Sequence, residues 1–560
     1  MTMRNEIKKL LVDGLGQLRW QIEQQQRQGK ALPPYVQFLI DGDYGDLPPE
    51  HDKWWQSLLP YEGNDLHTLQ AQFERIAADG RITGVILHLR SLPLSQAQLQ
   101  TLRDMIGALR DKGKRVIAWS PSYDMATYYV ACAADEILLL PGGTVAPIGL
   151  RRKLLHFKDT LDEIGVKMDA VQISPFKSGP DTFTRSEPTE ASREMANWLI
   201  DDQFEVMLEG IAASRGLTLT AVRQLIDEAP YTDLQALEAG VIDGVLNEEA
   251  LPHHLGIERL ERPIETWEKA EKAIMPLRPA PRQRQHVALL RIEGMIVPGE
   301  SRRPPLRTPL FAAPTQSGDL TVLQRIRNLR EDDEVGAVLL WVDSPGGSAT
   351  ASEAMASALE QIAAEKPLVA AFGTMAASGG YYVSTPAQWV VAQPSTITGS
   401  IGVFSLKPVV NEMLDKLHVG REALSRGRHA DLFDPEQPFS AEGEQKMEES
   451  IARIYELFIQ RVAAARKMTV EEVDAIGGGR VWTGRQAFAH GLVDELGGFE
   501  RALARAKSLA QLPDAAPLRP VLAPKAALAA MPAPQALATL LRAQANQPLC
   551  LSPFWLDSWR

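Results

Sequence analysis

Cysteine is nearly absent: 560 residues contain two, Cys132 and Cys550. That excludes a disulfide framework and a multi-cysteine zinc cluster. Positive charge is in deficit as well, with 59 Lys and Arg against 71 Asp and Glu and a net charge of −12. A general nucleic-acid binder presents a basic face, so nucleic acid drops out as a partner. No apolar run approaches the ~18 residues that span a bilayer. The N-terminus also lacks the continuous apolar core of a cleavable signal peptide. These two absences lead to the expectation of a soluble cytoplasmic protein or one held peripherally on a membrane. Neither a Gly-x-x-x-x-Gly-Lys-Ser/Thr loop nor a metal-spaced His/Glu set is present, so no cofactor and no metal is expected. Histidine is scarce too, ten in all. His88 and His156 fall in apolar patterns that suit a packed core, whereas His429 and His490 lie near the motifs described below and stay open as candidate bases.

What is there suits a globular protein of more than one domain: 45% of the residues are hydrophobic, and the chain exceeds one ordinary domain. Residues 5–28 place Ile7, Leu10, Leu11, Leu15, Leu18 and Ile22 at helical spacing, with Lys8, Lys9, Arg19 and Arg27 among them. An amphipathic helix results, expected to dock on its own protein or a partner subunit first and to lie on a membrane surface second. Apolar strand-like runs then alternate with helical patterns, which predicts layered α/β units with mostly parallel strands and flanking helices.

The order of elements occurs twice. Gly84-Val-Ile-Leu-His-Leu matches Gly336-Ala-Val-Leu-Leu-Trp, Tyr128-Tyr-Val matches Tyr381-Tyr-Val, and Ile148-Gly-Leu matches Ile401-Gly-Val. The offset stays at 252–253 residues throughout, so the chain reads as an internal duplication. It divides into a helical extension (1–35), a front lobe (36–261), a charged and then Pro/Arg-rich linker (262–285), a back lobe (286–511) and an Ala/Pro-rich tail (512–560). The tail ends in Cys550-Leu-Ser-Pro-Phe-Trp-Leu, whose apolar residues are expected to dock.

The two lobes differ where chemistry could sit. The back lobe carries Ser344-Pro-Gly-Gly347 after its first strand, and a second strand ending in Met375-Ala-Ala-Ser-Gly-Gly-Tyr-Tyr382. At the same offset the front lobe has Met125 in place of Ser378. Conversely, the front lobe has Lys177 in Ser174-Pro-Phe-Lys-Ser-Gly-Pro180, and the matching back-lobe region has no lysine. Complementary losses in two copies point to one composite site. A serine hydroxyl needs a base within hydrogen-bond reach, and a lysine serves when burial leaves it neutral. Ser400, in Thr398-Gly-Ser-Ile-Gly402, suits the task of orienting that lysine, and Gly346, Gly347 and Gly379 are candidate N–H donors to a developing oxyanion. No Gly-x-Ser-x-Gly elbow surrounds Ser378 or Ser400. Each element alone has a plainer reading: a Gly-Gly pair is usually a tight turn, and a lone lysine a solvated side chain.

Together, these back-lobe motifs, the duplicated layout and Pro175-Phe-Lys-Ser178 resemble the long form of the bacterial signal peptide peptidase A (protease IV) family over about residues 36–510. The resemblance implies tandem domains with a fold similar to Clp protease and crotonase. It further implies a serine endopeptidase with Ser378 as nucleophile, Lys177 as general base, Ser400 holding the lysine, and Gly347 and Gly379 as the oxyanion hole. Signal-peptide remnants and other apolar peptides are the implied substrates, and a homotetramer the implied assembly. Long-form members commonly carry an N-terminal membrane anchor, and none is visible here. Two other readings stay open: a crotonase-like enzyme acting on acyl-coenzyme A, and a catalytically silent oligomeric scaffold.

Overall fold

The computed structural model describes residues 17–18, 20–50, 64–277, 283, 285–302, 315–521 and 549–551. They fall into two compact units. The first takes the described residues up to 49, 64–151 and 203–283; the second takes residue 50, 152–202 and everything from 285 onward.

The first unit runs β1 (Tyr35–Ile40), α1 (Leu66–Ala78), β2 (Gly84–Leu89), α2 (Gln96–Asp111), β3 (Arg115–Asp124), α3 (Met125–Ala131) and β4 (Glu136–Ala146). β1 to β4 are parallel neighbours in that order. All six residues of β2, Gly-Val-Ile-Leu-His-Leu, are buried, as suits a central strand of a parallel sheet. Both long helices start where a polar side chain stops the preceding segment: Asp65 accepts the Thr68 N–H at 2.7 Å, and Ser95 and Gln98 form a capping box. Part of the expected linker is built into this unit. Ile264–Thr266 pairs with β1, and the Trp267 ring stacks on Phe38 at 5.6 Å, so this charged stretch still supplies apolar side chains, Ile264 and Trp267, to the unit. Residues 20–28 of the expected N-terminal helix are helical and dock on this unit, Trp20 Nε1 donating to Pro276 O at 3.0 Å and Arg27 to Ile274 O at 2.7 Å. The apolar positions before residue 17 lie outside the described residues.

The second unit opens with β5 (Lys167–Gln172) and the first half of α4 (Glu190–Arg215), then runs β6 (His286–Glu293), β7 (Met295–Val297), β8 (Gln316–Gly318), α5 (Asp319–Glu331), β9 (Val335–Ser344), β10 (Gly346–Ser348), α6 (Ala349–Glu365), β11 (Leu368–Ala377), α7 (Gly379–Ser384), β12 (Trp389–Ala392), β13 (Ile397–Gly399), β14 (Phe404–Val409), α8 (Ala441–Arg466) and β15 (Val481–Thr483). Its main sheet has β6, β9, β11 and β13 side by side and parallel, with β15 antiparallel on β13 and Leu518–Pro520 parallel on β6. A second sheet runs β8-β7-β10-β16-β14-β5, where β16 is Leu549–Leu551. Strand–helix alternation therefore repeats in both units, and the mixed α/β class with mostly parallel strands is the one expected.

The core of the second unit joins Leu340 and Val342 of β9, Met355 and Leu359 of α6, Phe372 of β11, Tyr382 of α7 and Phe458 of α8 in one buried cluster. Each such side chain contributes about 1.5–3 kcal/mol on burial. This core fixes the C-terminal ends of β9 and β11, from which the site is built.

Candidate active site

Ser378 sits where β11 meets α7. Its backbone is held at φ 53° and ψ −114°, a left-handed conformation unusual for a residue with a Cβ, by its own N–H donating to Gly399 O at 2.8 Å. Such strain costs about 1–3 kcal/mol and persists where the surroundings over-determine it. Its consequence is directional. Ser378 makes no cap to its own helix, and its hydroxyl turns instead toward Lys177.

Lys177 follows β5 on a short loop, and in space its segment belongs to the unit that holds Ser378. Lys177 Nζ lies 2.7 Å from Ser378 Oγ, 2.8 Å from Ser400 O and 2.9 Å from Ser400 Oγ. All three residues have 0% exposure. Ser378 Oγ also lies 3.5 Å from Gly402 O. Ser400 is itself left-handed, at φ 52°, anchored by its N–H to Arg480 O at 2.6 Å. The three polar residues singled out from the sequence thus meet at one point.

The candidate N–H donors divide. The Gly346 N–H is already donated to Ser344 Oγ at 3.1 Å, which removes it as an oxyanion donor. Gly347 lies so close to β7 that a Cβ there would sit 2.0 Å from Ile296 O, so only glycine fits. A Cβ on Gly379 would sit 3.1 Å from the Gly347 nitrogen, so these two backbones flank Ser378 together. Gly379 is the first residue of α7, where an N–H has no partner inside its own helix. Asp343 ties the turn down by accepting the Met375 N–H at 3.0 Å. Burial, with Glu293 adding to it, pushes the Asp343 carboxyl up to about 6 against the pull of the Met375 and Thr374 N–H groups.

Neither open histidine reaches the serine. The His490 ring packs on Trp482 at 4.3 Å, and His429 is exposed beside Glu442. Among the described residues, no group of His, Cys, Asp and Glu is arranged to hold a metal, and no helix is long and apolar enough to cross a membrane.

Several residues around the lysine were not singled out from the sequence. A Cβ on Gly479 would lie 2.5 Å from Lys177 Cα, so Gly479, the last of the run Gly477-Gly478-Gly479, is the wall against which the lysine backbone rests, while a Cβ on Gly478 would face Ser174. Ser174 Oγ donates to Gly478 O, and the Gly478 N–H donates to Tyr455 Oη at 2.9 Å. Phe176 packs between Arg480, 4.1 Å from its ring, and Trp198, which stacks on Trp482 at 5.0 Å. The triple glycine was the available signal, since three in a row rarely serve a plain turn.

A family model described as Peptidase family S49 matches residues 108–256 and 360–513, more than half of the chain. The chain is a serine protease of peptidase family S49. Protease 4 of Salmonella typhi is 33% identical over 466 residues, covering 80% of this chain and 72% of its own. The chloroplastic serine protease SPPA of Arabidopsis thaliana is 30% identical over 461 residues, covering 80% of this chain and 66% of its own. A solved ClpP1 mutant from Listeria monocytogenes aligns at 12% identity and a TM-score of 0.24 over 38% of this chain and 94% of its own, too distant to bear on the protease. The acyl-coenzyme A reading falls away with this membership.

Proposed function

We propose that the protease cleaves extended apolar peptides, signal-peptide remnants among them, through an acyl-enzyme on Ser378. The observation that carries this reading is the 2.7 Å approach of Lys177 Nζ to Ser378 Oγ in a site closed to solvent. An amine acts as a base only when neutral, and burial disfavours the ammonium form. A neutral amine has two N–H bonds and one lone pair. The two contacts to Ser400 take the N–H bonds, which leaves the lone pair for the Ser378 hydroxyl proton.

Lys177 takes that proton as Ser378 Oγ attacks the peptide carbonyl carbon. The carbonyl oxygen gathers negative charge, which the N–H groups of Gly347 and Gly379 stabilise. Lys177 then passes the proton to the amide nitrogen, the C–N bond breaks, and the acyl group stays on Oγ as an ester. A water molecule, deprotonated by Lys177, attacks the ester, and Ser378 recovers its proton as the acid leaves. Ser400 is a positioning residue that aims the amine. Assembly as a homotetramer and contact with a membrane surface belong to the same proposal and rest on the resemblance; sedimentation velocity and vesicle flotation test them.

The deciding assay follows cleavage of an acyl-Ala-Ala-Leu aminocoumarin amide by the wild type, Ser378→Ala and Lys177→Met. Both variants are expected to lose kcat by about a thousandfold or more with unchanged circular dichroism. A Ser378→Ala protein that cleaves like the wild type overturns the assignment.

A further inference from the structure

The second sheet of the second unit contains a strand that its neighbours do not need. β16, residues 549–551, lies between β10 and β14 and is antiparallel to both: Gly346 faces Leu551, Gly347 faces Cys550, Ser348 faces Leu549, and Phe404 faces Leu549. On their other sides β10 pairs with β7 and β14 with β5, so each is already held in place without β16. Neighbouring strands lie about 4.8 Å apart, so without β16 the facing edges of β10 and β14 would stand about 9.6 Å apart, the width of one added strand. An empty slot of that width presents N–H and C=O groups from both walls, and an extended peptide fills it by adding a strand.

This slot borders the site. Its first wall contains Gly347, which flanks Ser378 together with Gly379. Its second wall starts at Phe404, two residues after Gly402, whose carbonyl oxygen lies 3.5 Å from Ser378 Oγ. An extended chain seated between β10 and β14 therefore runs past the nucleophile. The occupant in this structure is the protein's own segment, separated in sequence from the edge strand Leu518–Pro520 by residues 521–548.

We infer that residues 549–551 are a resident ligand of the peptide-binding slot, a strand from the chain's own C-terminal region that must leave before a substrate can enter. The inference rests on the Ser378 reading for the meaning of the slot, and on the register of β16 for its occupant. The chemistry required of a displacing ligand is an extended backbone free to pair on both edges. A strand seated nine-tenths of the time raises the apparent KM about tenfold and leaves kcat untouched.

The test uses the full chain. Cys550→Pro removes an N–H from the centre of the strand and is expected to raise kcat/KM for the aminocoumarin amide by about three- to tenfold through KM, while Cys550→Ala, which keeps the N–H, stays at the wild-type value. The second measurement is amide hydrogen exchange at residues 549–551 in the inactive Ser378→Ala protein. Those amides are expected to be protected, and a saturating non-fluorescent acyl-Ala-Ala-Leu amide is expected to expose them. Unprotected amides in the resting protein, or a KM unmoved by Cys550→Pro, overturn the inference. The exchange measurement needs no catalysis, so it fails separately from the assignment of Ser378: a protected strand that the peptide does not displace refutes the slot alone.

Discussion

The same strand-to-helix turn is built twice in this chain, and the two copies put their polar residue to different use. Where β3 meets α3, Asp124 has an ordinary extended backbone, φ −92° and ψ −172°, and its carboxylate accepts the Thr127 N–H at 2.8 Å in a complete capping box. Where β11 meets α7, Ser378 is forced to φ 53°, makes no side-chain cap, and gives its hydroxyl to Lys177. One turn satisfies its own helix, and the other makes no side-chain cap and turns its hydroxyl to a lysine. The cap positions are one residue apart in the repeat, since Ser378 aligns with Met125 and Asp124 with Ala377. The second helix therefore starts one residue later, at a residue whose backbone is left-handed and whose side chain makes no cap.

Gly399 O holds Ser378 and a glycine wall holds its partner Lys177, and outside the proposed dyad the largest effects are expected at that wall. Gly479→Ala places a methyl group 2.5 Å from Lys177 Cα and 2.6 Å from its Cβ, at a φ of +90° that alanine resists. The lysine must shift, and a displacement of about 1 Å at a catalytic group lowers kcat by about a hundredfold. Steady-state kinetics together with a thermal melt decides it. A Gly479→Ala protein with native kcat means that the glycine wall does not position the lysine.

Next in size is Ser400, which has no working counterpart in the first unit. Ser400→Ala removes one of the two acceptors that aim the Lys177 N–H bonds and is expected to lower kcat ten- to a hundredfold with KM little changed. Ser400→Thr keeps a hydroxyl and should recover part of the loss. Because the hydroxyl touches the amine itself, Ser400→Ala should also displace the limb of the kcat pH profile that reports the base, which a merely structural residue would leave in place.

The duplication, the strands and the Ser378–Lys177–Ser400 set were legible in the sequence because each leaves a local mark: an apolar run, a repeat offset, or a small-residue motif. Lys177 is the instructive case. By chain order it sits in the front copy, yet its loop is part of the compact unit that holds Ser378. Sequence spacing carries no information on which sheet a segment joins once it leaves its own lobe, so the complementary loss of serine and lysine was readable and their shared unit was not. The Phe176, Trp198 and Trp482 stack was hidden for the same reason, its members being separated by up to 306 positions and meeting only in the fold. The position of β16 was equally out of reach, since a three-residue strand paired with distant glycines has no periodicity of its own.

A smaller effect tests the turn before Gly347, the glycine proposed as an oxyanion donor. Asp343 has its carboxyl raised to about 6, above the ordinary value of 3.8, with burial as the main cause. The folded protein therefore holds the proton more tightly than the unfolded chain. That stabilisation is complete below about pH 4 and is lost as the pH rises through 6. The offset registers Ser91 at this position in the first unit, so no comparable slope is expected from that turn. Asp343→Asn should match the wild type in unfolding free energy near pH 4 and exceed it at pH 7 by on the order of 2 kcal/mol. Parallel pH curves for the two proteins would falsify the linkage.

The smallest effects bear most directly on the two turns. Asp124→Ala deletes a helix cap and should lower stability by about 1 kcal/mol while leaving kcat unchanged, because that carboxylate serves only its own helix. At Ser378 the informative pair is Ala against Gly. Both variants lose the hydroxyl and the activity, and both leave Lys177 its contacts to Ser400. They differ only in the Cβ, which the left-handed backbone resists. If strain is stored at the nucleophile, Ser378→Gly should be the more stable of the two by about 1 kcal/mol, since glycine takes φ > 0 without penalty. Equal melting temperatures would mean that the turn holds its shape without cost, and that the two copies differ in their side chains alone. A more stable glycine variant would show that the protein gives up folding stability to present an uncapped serine to its lysine.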